Sequence, residues 1–153
     1  MGRRKNKHLE YLKTEQQLLE DLIVQIEQLK RYMNLVDWEG QYELGELSNS
    51  VDAEITASCT YLKFNMTLSR ESVLSWLDQE DWPALTDIVL HELSHLIIDP
   101  MYFESIKGIT CEHVLFPYLR EKRENAVERV RRLVQQTLPD DLYIRLNLAE
   151  YSL

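Results

Sequence analysis

A His-Glu-x-x-His sequence at residues 91–95 carries the strongest chemical signal in the chain. On an α-helix, residues four apart lie on one face, with their Cβ atoms about 5–6 Å apart. His91 and His95 can therefore both reach one Zn²⁺, at roughly 2.0–2.1 Å from each ring nitrogen. Glu92 lies about 100° around the helix from His91, where it can hold a metal-bound water and accept its proton. The spacing predicts a zinc site that carries its own general base.

The residues around the motif favour a half-buried helix. Within residues 88–98, the only ionisable side chains are those of His91, Glu92 and His95. Uncharged neighbours are what a helix needs on the side that packs against a core. Because three ionisable groups are costly to bury without a partner, this context favours a bound metal. The alternative is two core histidines with a chance glutamate between them.

A catalytic zinc has three protein ligands and one open position, so a third ligand must lie elsewhere. The extended metzincin motif requires glycine and histidine at positions that Ile98 and Met101 occupy here, which excludes that class. A second predicted helix, from about residue 117 to 137, carries Glu124 and Glu128 one turn apart. Glu124 can bind the metal while Glu128 accepts the far N–H of a ligand histidine and fixes its tautomer.

Two alternatives stay open for the third ligand. Glu124 and Glu128 can instead form a solvated acidic face that pairs with arginines on the same helix. His113 can replace Glu124 and make an all-histidine site. His113, Tyr102 and Tyr118 are also the candidates for the donor that stabilises negative charge on the substrate carbonyl.

The sequence His91-Glu-Leu-Ser-His95 followed by Glu124-Asn-Ala-Val-Glu128 resembles the gluzincin metallopeptidases, whose thermolysin-like members pair HExxH with a Glu-x-x-x-Asp helix. The short chain is similar to the minigluzincins and to small metallopeptidase-like proteins of tailed phages and prophages. The resemblance covers residues 41–137. Glu128 stands where the larger relatives have aspartate, and the histidine that steadies the oxyanion in the thermolysin-like enzymes has no firm counterpart.

This resemblance implies a zincin-like fold with the metal bound by His91, His95 and Glu124 and with Glu92 as the base. It also implies that the strand around residues 60–68 is the sheet edge along which an extended peptide substrate pairs. We therefore expect a small zinc endopeptidase. The alternative function is a zinc-containing protein-binding module, or a latent or inactive peptidase homologue, that acts through its long N-terminal helix.

That helix is predicted over residues 8–36, after a basic tail at residues 1–7. Apolar residues repeat every seven positions, at Leu12, Leu19, Ile26 and Met33. The positions three residues later are also apolar, at Leu22, Leu29 and Val36, with Glu15 as the exception. At 1.5 Å per residue the helix would be about 43 Å long. The seam either packs on this chain's own sheet and helices or forms a coiled coil in a homo-oligomer.

The remaining pattern predicts one α+β domain over residues 1–153 with a small, mainly antiparallel sheet. Residues 41–47 form a weak strand, and the clean alternation over residues 60–68 indicates a half-buried strand. Ile55 falls out of phase with it, which predicts two strands or a bulge near Ser58. Ser69 or Ser72 caps a short helix. Pro83 suits the first turn of the motif helix, and Asp99-Pro100 is expected to end it.

Composition narrows the functional class. The chain has 17 Lys and Arg against 26 Asp and Glu, a net charge of −9, which argues against nonspecific nucleic-acid binding. No run of apolar residues is long enough for a transmembrane helix, and no signal peptide is visible. Cys59 and Cys111 form no zinc-type pair, so we expect two buried thiols in a reducing compartment, the cytoplasm.

Overall fold

The computed structural model describes residues 12–110 and 112–153 and shows an α+β chain. Within these residues, four helices pack with one three-stranded sheet, and two short 3₁₀ turns follow. In chain order the elements are α1 (Glu15–Tyr32), β1 (Glu39–Gly45), β2 (Ala53–Ser58), β3 (Lys63–Ser69), α2 (Arg70–Asp78), α3 (Trp82–Ser105), α4 (Leu115–Thr137) and the turns Asp140–Leu142 and Leu148–Glu150.

Helix α1 is shorter than the predicted range of 8–36. Thr14 begins it with a capping box: its hydroxyl accepts the N–H of Gln17, and the Gln17 side chain accepts the N–H of Thr14. Lys13 pairs with the C-terminal segment in an isolated parallel bridge, so the helix cannot extend back through it. At the other end, Asn34 takes a φ of 59°, a left-handed conformation that stops the helix. The start of the predicted range and the basic tail lie outside the described residues.

The apolar seam of α1 packs into the core of its own chain. Leu22, Ile26 and Leu29 are 0% exposed. Leu12 and Val36, the ends of the predicted seam, are 54% and 58% exposed. The helix is about 27 Å long rather than 43 Å, at 1.5 Å per residue. A homo-oligomer through α1 stays a prediction, and it would have to use side chains other than the five that are buried in this helix.

The sheet has the order β1-β3-β2 and is mixed. β1 pairs with β3 in parallel, and β2 pairs with β3 in antiparallel. The expectation of a mainly antiparallel sheet is therefore wrong. Alternation of apolar and polar residues shows which face of a strand is buried, but it does not fix the direction of its neighbours.

The strand expected at the substrate edge is not at an edge. β3 lies in the middle of the sheet, so its backbone is already paired on both sides. The edges are β1 and β2, and β2 packs beside α3. The two strands expected around Ser58 are confirmed, joined by a turn in which Leu62 has a φ of 51°. Alternation within β3 is also confirmed, since Phe64, Met66 and Leu68 are buried.

Helix α3 is longer than predicted. Asp81 caps its start, and Pro83 lies in the first turn as expected. The predicted end at Asp99-Pro100 is wrong, because the helix continues to Ser105 with Pro100 inside it. Proline removes one backbone donor from the helix. Asp99 is 3% exposed, and its carboxylate is hydrogen-bonded to His95 on α3 and to Arg123 on α4.

Helix α4 begins at Leu115, two residues before the predicted start, and ends at Thr137 as predicted. It lies along α3, with Val127 fully buried. The chain then returns across the core, where Ile144 is 0% exposed and its N–H donates to the Thr86 hydroxyl at 2.9 Å. These contacts join the C-terminal residues to the motif helix.

Three smaller expectations can be compared with the structure. Ser69 caps α2 by accepting the N–H of Ser72. Cys59 is a free thiol, half-buried rather than buried as expected, and Cys111 lies outside the described residues. None of the helices in the described residues is both long and apolar enough to cross a membrane.

Candidate metal centre

His91 and His95 lie one turn apart on α3 and face the same way. Their ring centroids are 5.3 Å apart, with an angle of 74° between the ring planes. The opposite side of the helix is fixed in the core by Leu90, Leu93 and Leu96. His95 is 6% exposed, whereas the His91 side chain is 22% exposed. The pair therefore lies at the boundary between core and surface, reachable on the His91 side.

Glu124 comes to these two histidines from α4. Its Oε2 atom is 3.8 Å from His91 Nε2, and its Oε1 atom is 3.9 Å from His95 Nε2. The three ligand atoms lie within 4.8 Å of one another. A tetrahedral zinc with bonds of about 2.0–2.2 Å spaces its donor atoms roughly 3.3–3.5 Å apart. The three residues could therefore hold a metal ion, and their nitrogen and oxygen donors are among those that Zn²⁺ binds, although their present spacing is wider than a zinc site requires.

The second nitrogen of His91 is bound by Glu128. His91 Nδ1 lies 2.6 Å from Glu128 Oε1, and Arg131 Nε donates to the same carboxylate at 3.2 Å. Burial raises the pKa of Glu128, but the hydrogen bonds from His91 and Arg131 outweigh it and hold the pKa below its ordinary value. A carboxylate here keeps the proton on Nδ1 and directs the Nε2 lone pair towards Glu124.

The second nitrogen of His95 is bound by Asp99, for which no role in the site was predicted from the sequence. His95 Nδ1 lies 3.1 Å from Asp99 Oδ1. Burial raises the Asp99 pKa, and the hydrogen bonds from Arg123 and His95 reverse this and lower it. The signal was present, because Asp99 follows His95 by four residues and so shares its helix face.

Glu92 is 6% exposed, between the two histidines in sequence. Burial raises the pKa of its carboxyl group, against the opposing effect of His95 and His91. A carboxylate with a raised pKa is better suited to accept a proton from water and to return it later. The role of Glu92 as the base stays a prediction.

Comparison of the chain with models of known protein families, with curated proteins and with solved structures found no match in any of the three. The resemblance to gluzincins therefore rests on the two sequence motifs alone.

Among the described residues, His113 is not part of the group that could hold a metal ion, which consists of His91, His95 and Glu124. His113 is exposed, and its Nδ1 atom accepts the N–H of Leu115 at 3.1 Å. Tyr118 is 54% exposed, with the Lys122 ammonium 5.2 Å from its ring centroid. Tyr102 lies under the guanidinium of Arg123, 4.9 Å away. A role for His113 or Tyr118 in stabilising a transition state stays a prediction.

Two surface depressions border the cluster. One, of about 570 Å³, is lined on α4 by Glu124 together with Phe116, Pro117, Arg120 and Glu121. The other, of about 250 Å³, includes His91 and Glu128 and extends to Asp52 and Trp76 beside the start of β2. A further cavity, of about 780 Å³, is lined by residues of α1, α2 and the C-terminal segment and by no residue of the cluster. The cluster therefore borders open surface on two sides, one beside Glu124 and the other beside His91 and Glu128.

Proposed function

We propose that this protein is a small zinc endopeptidase of the gluzincin type, with a zincin-like fold. The observation that carries the proposal is the convergence of two histidine Nε2 atoms and one glutamate carboxylate, from two helices, within 4.8 Å. Each of the two histidines also has a carboxylate on its other nitrogen. A purely structural zinc site is usually closed by four protein ligands, whereas a catalytic one keeps a position open.

His91, His95 and Glu124 would hold the metal. When bound there, zinc polarises the peptide carbonyl and lowers the pKa of a coordinated water to about 7. Glu92 accepts the proton of the attacking water and then donates it to the leaving amine. Glu128 and Asp99 hold the two histidine rings in the tautomer and orientation that the metal requires.

An extended peptide is the proposed substrate, since an unpaired sheet edge can add one more strand. β2 is the edge that packs beside α3, so it replaces β3 as the strand that we expect to bind substrate. The depressions on either side of the cluster would receive side chains that flank the scissile bond. The cytoplasm stays the proposed location, because the free thiol Cys59 is typical of a reducing compartment.

The test is a metal analysis combined with cleavage of a peptide library by the wild type and by Glu92→Gln. Glutamine keeps the size of the side chain and removes its basicity, so zinc should be retained at one per chain. Peptide cleavage should fall by about 10²–10⁴-fold. Glu20→Gln, at an exposed position of α1 that lines neither depression, is the matched control and should cleave as the wild type does.

Equal cleavage by wild type and Glu92→Gln would show that the mechanism is wrong. A wild-type protein that binds zinc and cleaves nothing across the library would favour the zinc-containing binding module or the latent homologue. A wild-type protein that binds no zinc would overturn both functions.

A further inference from the structure

Arg123, on α4, contacts residues of both helices that form the cluster. Its Nε and Nη2 atoms donate to Asp99 Oδ1 and Oδ2 at 2.7 and 2.8 Å. Its Nη1 atom lies 3.8 Å from Glu124 Oε1. Its guanidinium stacks over the rings of Tyr102 and Phe103, at 4.9 and 5.7 Å from their centroids. One side chain from α4 thus contacts the turns of α3 on both sides of Pro100.

Asp99 depends on this arginine. The carboxylate side chain is 4% exposed, and a buried charge is costly unless it is paired and hydrogen-bonded. The fork of Arg123 occupies both oxygens, and His95 Nδ1 shares Oδ1. A bidentate guanidinium fixes a carboxylate in direction as well as in place. The orientation of the His95 ring therefore depends on Asp99, which depends in turn on Arg123.

We infer that Arg123 is a positioning residue of the metal centre: it holds Asp99 against His95 and holds α4 so that Glu124 meets both histidines. The inference rests on the zinc site of the proposed function. Arg123 binds no metal in this scheme. It sets the geometry of two of the three ligands, His95 through Asp99 and Glu124 through its position as the preceding residue on α4.

The other histidine offers an internal comparison. His91, Glu128 and Arg131 form a similar series, in which the arginine supports the carboxylate that binds the histidine. The Glu128 side chain is 37% exposed, against 4% for Asp99. Water can replace Arg131 at an exposed carboxylate, but it cannot easily replace Arg123 at a buried one. Loss of Arg123 should therefore weaken the site more than loss of Arg131.

The experiment measures zinc affinity by competition with a chromogenic chelator, so it does not depend on peptidase activity. Arg123→Gln should bind zinc about 10–100-fold more weakly than the wild type. Arg123→Lys should recover part of this loss, because lysine restores the charge without the fork. Arg131→Gln should lose less zinc affinity than Arg123→Gln. Arg129 is exposed on the same helix, so Arg129→Gln should bind zinc as tightly as the wild type.

A second measurement separates positioning from general destabilisation. If Arg123 acts through Asp99, then adding Arg123→Gln to Asp99→Asn should cost much less zinc affinity than it does in the wild type. The double variant also avoids leaving a buried charge unpaired, so it should fold even if Arg123→Gln alone does not. If Arg123→Gln does not fold, Arg123→Lys replaces it as the single variant, and the zinc affinity of Arg123→Lys should lie below that of the wild type.

The inference would be overturned if Arg123→Gln bound zinc as tightly as the wild type, or if Arg123→Lys did so when Arg123→Gln does not fold. It would also be overturned if Arg123→Gln and Arg131→Gln lost equal zinc affinity. These results would leave the zinc peptidase proposal intact. Failure of the wild type to bind zinc would overturn both. Failure of the wild type to cleave peptides, with the expected order of zinc affinities, would overturn the peptidase alone.

Discussion

The Nδ1 atom of His91, on α3, lies 2.6 Å from Oε1 of Glu128, on α4. This hydrogen bond joins the helix that carries the motif to the helix that carries the third ligand. Removing the carboxylate should free the imidazole to rotate and to change tautomer. Glu128→Ala should therefore weaken zinc binding by about 10–100-fold, measured by chelator competition. Glu121→Ala, exposed on α4, is the control, and an unchanged affinity in Glu128→Ala would remove Glu128 from the site.

The third ligand can be decided by comparing two alanine variants. Glu124 lies within 4 Å of both histidine Nε2 atoms, whereas His113 hydrogen-bonds to the backbone of Leu115. Glu124→Ala should lose far more zinc affinity than His113→Ala, since only the first removes a donor atom from the cluster. The reverse order, measured by the same chelator competition, would transfer the third position to the histidine.

The packing of α1 can be tested by two substitutions that lie two residues apart, about 200° around the helix axis and so on opposite faces. Ile26 is 0% exposed in the chain's own core, and Val24 is 58% exposed. Ile26→Ala should lower the free energy of unfolding by about 2–5 kcal/mol. Val24→Ala should change it by no more than about 0.5 kcal/mol. Urea denaturation at several protein concentrations measures both. A loss in Ile26→Ala that disappears on dilution of both proteins would favour an intermolecular seam.

The hydrogen bond from the Tyr151 hydroxyl to Asp21, 2.5 Å long, predicts a pH dependence of stability. It is the main cause that lowers the pKa of Asp21. A carboxyl group whose pKa is lowered by folding stabilises the folded state above its unfolded pKa of about 3.9. That contribution is lost as the pH falls through the folded pKa. Tyr151→Phe should therefore be less stable than the wild type at pH 6, and the difference should shrink in acid.

Tyr32→Phe is the matched control for this pH dependence. The Tyr32 hydroxyl donates to the backbone carbonyl of Thr137 at 2.7 Å, and a carbonyl does not titrate. Its effect on the free energy of unfolding should not follow the Asp21 titration. If the Tyr151→Phe difference is as large at pH 2.5 as at pH 6, the assignment to Asp21 is wrong.

Local spacing was enough to predict one half of the site. His91 and His95 share a face because any helix brings residues four apart together, and the same rule relates Glu124 to Glu128. The rule also covers His95 and Asp99, so spacing alone could have predicted their contact. Ser69 as the cap of α2 followed from local chemistry in the same way.

Tertiary packing alone decided how these local units meet. Which glutamate approaches the Nε2 atoms and which binds His91 Nδ1 depends on how α4 lies along α3, and spacing along either helix carries no information about it. The position of β3 between β1 and β2 depends on strand direction, which alternation does not encode. Helix α3 continues past Pro100, and at this turn Arg123, distant in sequence, hydrogen-bonds Asp99. A proline's effect on its own helix is local, whereas a contact of this kind exists only in the folded chain.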